Sequence, residues 1–196
     1  MTAHLSLQEK RDLILENEKQ FCHQVSAAIL DKPRLGVWMI LIPVFCVFYF
    51  WQLKRYSEGR NEFAENFLIA RERALGAAYK AALGGREIEV EEMVDAGDIP
   101  EQTRKQYGNW LSLLADHYLS LLRGRGGNYE ELVQSVYSSK KQYIHFIQEL
   151  NRVEREFNAK LQPHLDLDDS EVSDIVGRIE ITSAKLRHQQ IKEIFS

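Results

Sequence analysis

From Leu35 to Leu53 the chain carries no charged residue, reading Leu-Gly-Val-Trp-Met-Ile-Leu-Ile-Pro-Val-Phe-Cys-Val-Phe-Tyr-Phe-Trp-Gln-Leu. At about 1.5 Å per residue a helix of that length reaches roughly 28 Å, close to the ~30 Å hydrocarbon core of a bilayer. Trp38 stands near one end, and Tyr49, Trp51 and Tyr56 gather at the other, where amphipathic rings settle at a membrane boundary. A secretory signal peptide does not fit, because the run starts at residue 35 and leads into Trp51-Gln-Leu-Lys-Arg-Tyr56 instead of a small-residue cleavage site. The stretch 35–53 is therefore expected to be one transmembrane helix, with Leu35, Trp38, Pro43, Trp51 and Leu53 as its membrane residues. Pro43 either kinks that helix or marks a re-entrant segment with both flanks on one side. The absence of a Gly or Asn cluster favours the spanning form.

This run divides the 196 residues into an N-terminal piece of 1–34, the membrane segment of 35–53 and a C-terminal piece of 54–196. Only the last is long enough to bury a sizeable core by itself. Five basic and five acidic residues balance in 1–34, so the net charge of −4 belongs to the C-terminal part. A nucleic-acid partner is not expected, since phosphate binding calls for a basic surplus. Lys54, Arg55 and Arg60 follow the apolar run and Lys32 and Arg34 precede it. Three cations against two favour a cytoplasmic C-terminal domain by the positive-inside rule. Of the two cysteines, Cys46 lies in the apolar run, so no disulfide framework is expected with Cys22.

Outside the membrane run the periodicity is helical throughout. Ser6-Leu-Gln-Glu9 has capping-box spacing, and Leu7, Ile14, Phe21, Val25 and Ala28 recur at helical intervals until Pro33. This amphipathic helix is expected to dock on protein, because Asp12, Glu16 and Glu18 deny it the basic face of an interfacial helix. From Asn61 to Leu83, Phe63, Phe67, Ala70, Ala74, Ala77 and Ala81 repeat at four-three spacing before Gly84-Gly85. Residues 86–97 read as a connector with one short helix. Asp98-Ile-Pro-Glu101 then opens a core helix bearing Tyr107, Leu111, Leu114, Tyr118 and Leu121.

Asn128-Tyr-Glu-Glu131 reads as the start of one long helix to about Gln162, with Leu132, Val136, Tyr143, Ile147, Leu150, Phe157 and Leu161 on its seam and Glu154 facing water. Pro163 and the acidic turn that follows lead to a last helix carrying Val172, Ile175, Ile179 and Leu186. The two should pair as a long antiparallel hairpin. No alternating run reads as a strand, so the fold class is all-α: an N-terminal amphipathic helix, one transmembrane helix and a C-terminal helical bundle.

Motifs for chemistry are missing. There is no phosphate loop, Cys-x-x-Cys, Gly-x-Ser-x-Gly or His-Glu-x-x-His. His145 with Glu149, Asp116 with His117, and His23 beside Cys22 are too few to complete a metal shell, and surface or core roles are expected for them. Arg123 and Arg125, near Lys140 and Lys141, read as a solvated loop. No catalytic residue, cofactor or metal ligand is assigned.

Val37-Trp-Met-Ile-Leu-Ile-Pro43, followed by Leu53-Lys-Arg-Tyr-Ser-Glu-Gly59, resembles the membrane segment and exit of a family of uncharacterised bacterial single-pass membrane proteins. That resemblance covers residues 37–59 and implies no activity. The expectation is a single-pass, membrane-anchored, non-catalytic scaffold or accessory subunit that touches the lipid bilayer and either protein partners or further copies of itself. Ala70, Ala74, Ala77, Ala81, Leu150 and Phe157 are its expected helix-packing and partner-interface residues. The alternative is an enzyme or electron-transfer subunit with a cofactor site built between helices.

Overall fold

The first helix starts where its sequence signal says it should. Ser6 donates its backbone N–H to Glu9 Oε2 at 2.7 Å, and the Glu9 N–H donates to Ser6 Oγ at 3.2 Å. Two otherwise orphaned donors are thereby satisfied reciprocally. The computed structural model describes residues 5–30, 59–97, 99–164 and 169–196. The expected transmembrane run, with Leu35, Trp38, Pro43, Trp51 and Leu53, lies outside the described residues, as does Asp98.

The described helices are α1 Leu7–Leu30, α2 Gly59–Gly84, α3 Val90–Asp95, α4 Arg104–Arg123, α5 Tyr129–Val136, α6 Lys140–Leu161 and α7 Asp169–Ile194, with short 3-10 turns at Glu101–Thr103 and Gln162–His164. No strand occurs among the described residues, so the class is all-α. No helix among them is long and apolar enough to cross a membrane.

Helix boundaries follow local chemistry. Gly85, at φ 62°, ends α2 in the left-handed region that glycine enters without steric cost. Asn128 Oδ1 accepts from the Glu131 N–H at 2.8 Å, while Glu131 Oε2 accepts from the Gly127 N–H at 2.7 Å. The continuous helix expected from 128 to 162 is instead broken at Tyr137–Ser139. Ser139 caps α6, its Oγ accepting the Gln142 N–H. The break frees Tyr137 from helical register, and its hydroxyl meets His117 Nδ1 at 2.8 Å. Tyr137 thus joins a cluster of rings with Tyr143 and Phe146. A capping serine and a buried aromatic contact outweigh one more turn of helix.

The N-terminal helix docks on protein. Gln8 pairs with Tyr79, Glu18 with Arg71 and Phe21 with Phe67, so each step up α1 is matched by a step down α2 and the two run antiparallel. Lys10 Nζ also donates to the carbonyls of Leu122, in the last turn of α4, and Gly124, just beyond it, at 3.2 and 2.6 Å. Gln190 on α7 bonds Asn17 at 3.0 Å. Ile14, Cys22 and Val25 are wholly or almost wholly buried in the shared core, each large apolar side chain contributing about 1.5–3 kcal/mol. Helices α6 and α7 also run antiparallel: Asn158 bonds Glu180, and Glu154 pairs with Arg187.

The small residues of α2 lie inside this packing. Ala70, Ala74 and Ala81 are buried and Ala77 half-buried, on a helix whose main neighbours are α1 and α4. Leu150 and Phe157 are buried as well, the latter with its ring 5.1 Å from Tyr107 and 5.9 Å from Trp110. Intramolecular neighbours therefore account for the burial of these residues. Because Ala74 has no exposed surface, Ala74→Leu is predicted to destabilise the protein by about 1–3 kcal/mol through overpacking. The same change at half-buried Ala77 should cost less. Urea unfolding of the two variants compares them, and equal tolerance would show that α2 is not closely packed at Ala74.

Candidate functional site

Four charged side chains, one from each of four helices, meet in the interior: Glu18 of α1, Arg71 of α2, Glu154 of α6 and Arg187 of α7. Each occupies a core position in its helix. Glu154 sits between Leu150 and Phe157, Arg71 between Phe67 and Ala74, and Arg187 between Ser183 and Ile191, all of them buried. Glu154 was expected to face water; with 7% exposure it is instead the hub of the cluster. Its Oε1 accepts from Arg71 Nη2 at 2.9 Å, Arg187 Nη2 at 2.8 Å and Trp110 Nε1 at 3.1 Å, and its Oε2 accepts from Arg187 Nη1 at 2.6 Å. Arg71 Nε lies 3.0 Å from Glu18 Oε2, and Arg187 also donates to Asn151 Oδ1.

Aromatic faces complete the enclosure. The Arg71 guanidinium lies over Phe67, Phe21 and Trp110 at 4.7, 5.2 and 5.5 Å from their centroids, and that of Arg187 lies 5.2 Å from Phe21. Ring quadrupoles attract the desolvated cations, so two carboxylates, two guanidiniums and three rings form a unit neutral in charge. Burial alone would raise the Glu154 pKa, but Arg187 and Arg71 outweigh it and hold the carboxyl down at about 2. Burial likewise disfavours the Arg71 cation, yet Glu154 and Glu18 keep its pKa above the ordinary arginine value. Beside the cluster, burial pushes the Cys22 thiol up to about 12, leaving it protonated and unreactive at neutral pH.

His117, on the core face of α4, borders the same region. Its ring stacks on Phe146 at 4.2 Å and bonds the Tyr137 hydroxyl. Burial lowers its pKa to about 3, so the imidazole is neutral at physiological pH. A cavity of about 30 Å³ touches Glu18, Arg71, Arg187, His117, Tyr129 and Tyr143. That is room for a water or two and not for an organic substrate. A groove of about 270 Å³ runs over the outer edge of Glu154 between α6 and α7, lined by Gln148, Asn151, Arg155, Glu180, Ile181 and Ala184.

The other residues singled out in the sequence are scattered. His145 is exposed, and Glu149 is engaged by Arg152 at 2.5 Å. His23, Asp116, Arg123, Arg125, Lys140 and Lys141 are exposed. Among the described residues no group of three or more His, Cys, Asp or Glu side chains could hold a metal ion. A charged residue in sequence reads as solvent-facing, as Glu154 does, so the buried cluster is not evident from composition. Its signal was register: Leu150, Glu154, Phe157 and Leu161 follow one four-three-four spacing. No protein-family model, curated protein or solved structure matches this chain.

Removing the hub would strand two buried cations. Glu154→Gln is therefore predicted to cost about 3–5 kcal/mol, read as a fall in urea midpoint, and a loss below 1 kcal/mol would mean the cluster is hydrated. The acid limb of the stability curve is predicted to have two parts. His117 is neutral when folded down to about pH 3, but in the unfolded chain it takes a proton near 6.5. Stability is thus lost as pH falls from about 6.5. Glu154, with a folded value of about 2 against 4.5 for the unfolded carboxyl, adds a second loss below about 4.5. His117→Gln should flatten the curve between about pH 6.5 and 4.5 and leave only the Glu154 contribution below that. An unchanged slope between pH 6.5 and 4.5 would show that His117 is not desolvated.

Proposed function

We propose that the protein is a membrane-anchored helical scaffold or accessory subunit, held at the bilayer by the apolar stretch 35–53 and acting by binding other proteins instead of by catalysis. The observation that carries this reading is the use made of the interior charges. Both oxygens of Glu154 are engaged by side chains from three other helices, so the groups with the most altered chemistry are consumed in joining helices. Buried polar groups that specify one arrangement of helices suit a body whose task is to present surfaces. Two large apolar side chains stand out from the described surface, Leu83 at 65% exposure and Ile181 at 71%. Ile181 lines the groove between α6 and α7, and a partner that covers it would gain apolar burial.

The nineteen-residue uncharged stretch predicts retention in the membrane fraction after high-salt and carbonate washes, because apolar burial does not respond to either. Ile181→Asp, at an exposed site, should change stability by no more than about 0.5 kcal/mol while lowering recovery of the associated protein from mild detergent extracts. Release by carbonate would remove the anchor from the account. A particle of one chain alone in detergent, with the variant indistinguishable from it, would remove the scaffold.

A further inference from the structure

Resting on the reading of 35–53 as a membrane segment, we infer that α1 and the remainder of the bundle share one membrane face. The argument comes from the helices on either side of that segment. Helices α1 and α2 are antiparallel neighbours, as the pairs Gln8–Tyr79, Glu18–Arg71 and Phe21–Phe67 establish. Continued along that register, Leu30 at the end of α1 stands beside Gly59 at the start of α2. A single crossing between them would put α1 and α2 on opposite faces, about 30 Å of hydrocarbon apart.

Such a separation would also break the contacts of α1 with three other helices and the loop after α4. Glu18 would leave Arg71, Phe21 would leave Arg71 and Arg187, Asn17 would leave Gln190, and Lys10 would leave the carbonyls of Leu122 and Gly124. Ile14, Cys22 and Val25, now at 0–1% exposure, would be uncovered together with their partners. Two full crossings need about 40 apolar residues, and the uncharged run has nineteen. A pair of full crossings is therefore not open to it, and the packing of α1 on α2 sets both helices on one face.

Charge agrees with this topology. Lys32, Arg34, Lys54, Arg55 and Arg60 flank the run. Under a single crossing they divide two against three, which barely orients the protein. With α1 and the bundle on one face all five cations count toward the same side, against Asp31 and Glu58, and that surplus selects the anionic, cytoplasmic surface.

The test uses the full chain in its membrane with Cys46→Ser, leaving Cys22, which is 1% exposed, as an internal control that should not label. Lys19→Cys on α1 and Lys141→Cys on α6, both at exposed positions, are probed with a membrane-impermeant maleimide in intact cells and in inside-out vesicles. Both should label in inside-out vesicles and neither in intact cells. Labelling from opposite sides would overturn the inference while leaving the membrane reading intact. Labelling of both only in intact cells would keep the one-sided topology and overturn the choice of leaflet. Release by carbonate would remove the membrane reading itself, and the inference with it. A short bifunctional thiol reagent between Asn17→Cys and Gln190→Cys supplies an independent readout: cross-linking in the membrane supports docked α1, and its absence alongside efficient single-site labelling contradicts it.

Discussion

One carboxylate, that of Glu154, holds the bundle in register. It takes hydrogen bonds from α2, α4 and α7 at once, and Arg71 passes the connection on to Glu18 of α1. Each charge would be expensive to bury alone, since desolvation of an unpaired ion costs several kcal/mol even after relaxation. Together they are neutral, and the Phe21, Phe67 and Trp110 rings around Arg71 replace part of the lost hydration. The net contribution to stability need not be large, because an apolar replacement of the same shape can do as well. What the cluster supplies is uniqueness. Apolar seams made of leucine and alanine tolerate a shift of one turn, whereas a carboxylate engaged at both oxygens does not.

That specificity gives the N-terminal helix its place. On apolar grounds α1 offers a short stripe centred on Ile14, Cys22 and Val25. Glu18 and Phe21 add an ion pair and ring contacts that only one register satisfies. Once α1 is fixed beside α2, the route of the chain between them is constrained by topology. Two helix ends that lie side by side bind the segment between them to a constraint that sequence hydropathy has no means of expressing. Hydropathy counts residues against bilayer thickness; it takes no account of whether the two flanks are bound to one another.

The sequence carried the helical class and most helix starts, because capping boxes and four-three spacing are local. Ser6 with Glu9 and Asn128 with Glu131 both form the bonds their spacing implies. The break at Ser139 was hidden because the seam residues on either side, Val136 and Tyr143, lie seven apart and so keep phase across it. The cluster was hidden for a different reason. A buried charge looks like a surface charge until its partners are known, and Glu18, Arg71, Glu154 and Arg187 are scattered over 170 positions of sequence. Each nevertheless falls on the apolar stripe of its own helix, two of each sign. A search for charges in core register whose signs cancel across helices would have assembled them.

The central claim is that α1 is an integral part of the bundle, held there by the Glu154 cluster. Amide hydrogen exchange of the full chain in lipid bilayers tests it directly. The account predicts that amides around Ile14 to Cys22 of α1 exchange as slowly as those around Leu111 to Tyr118 of α4, since both stretches open only when the bundle opens. Rapid exchange along α1 with α4 still protected would contradict it, showing a helix that leaves the bundle when the apolar segment enters the bilayer.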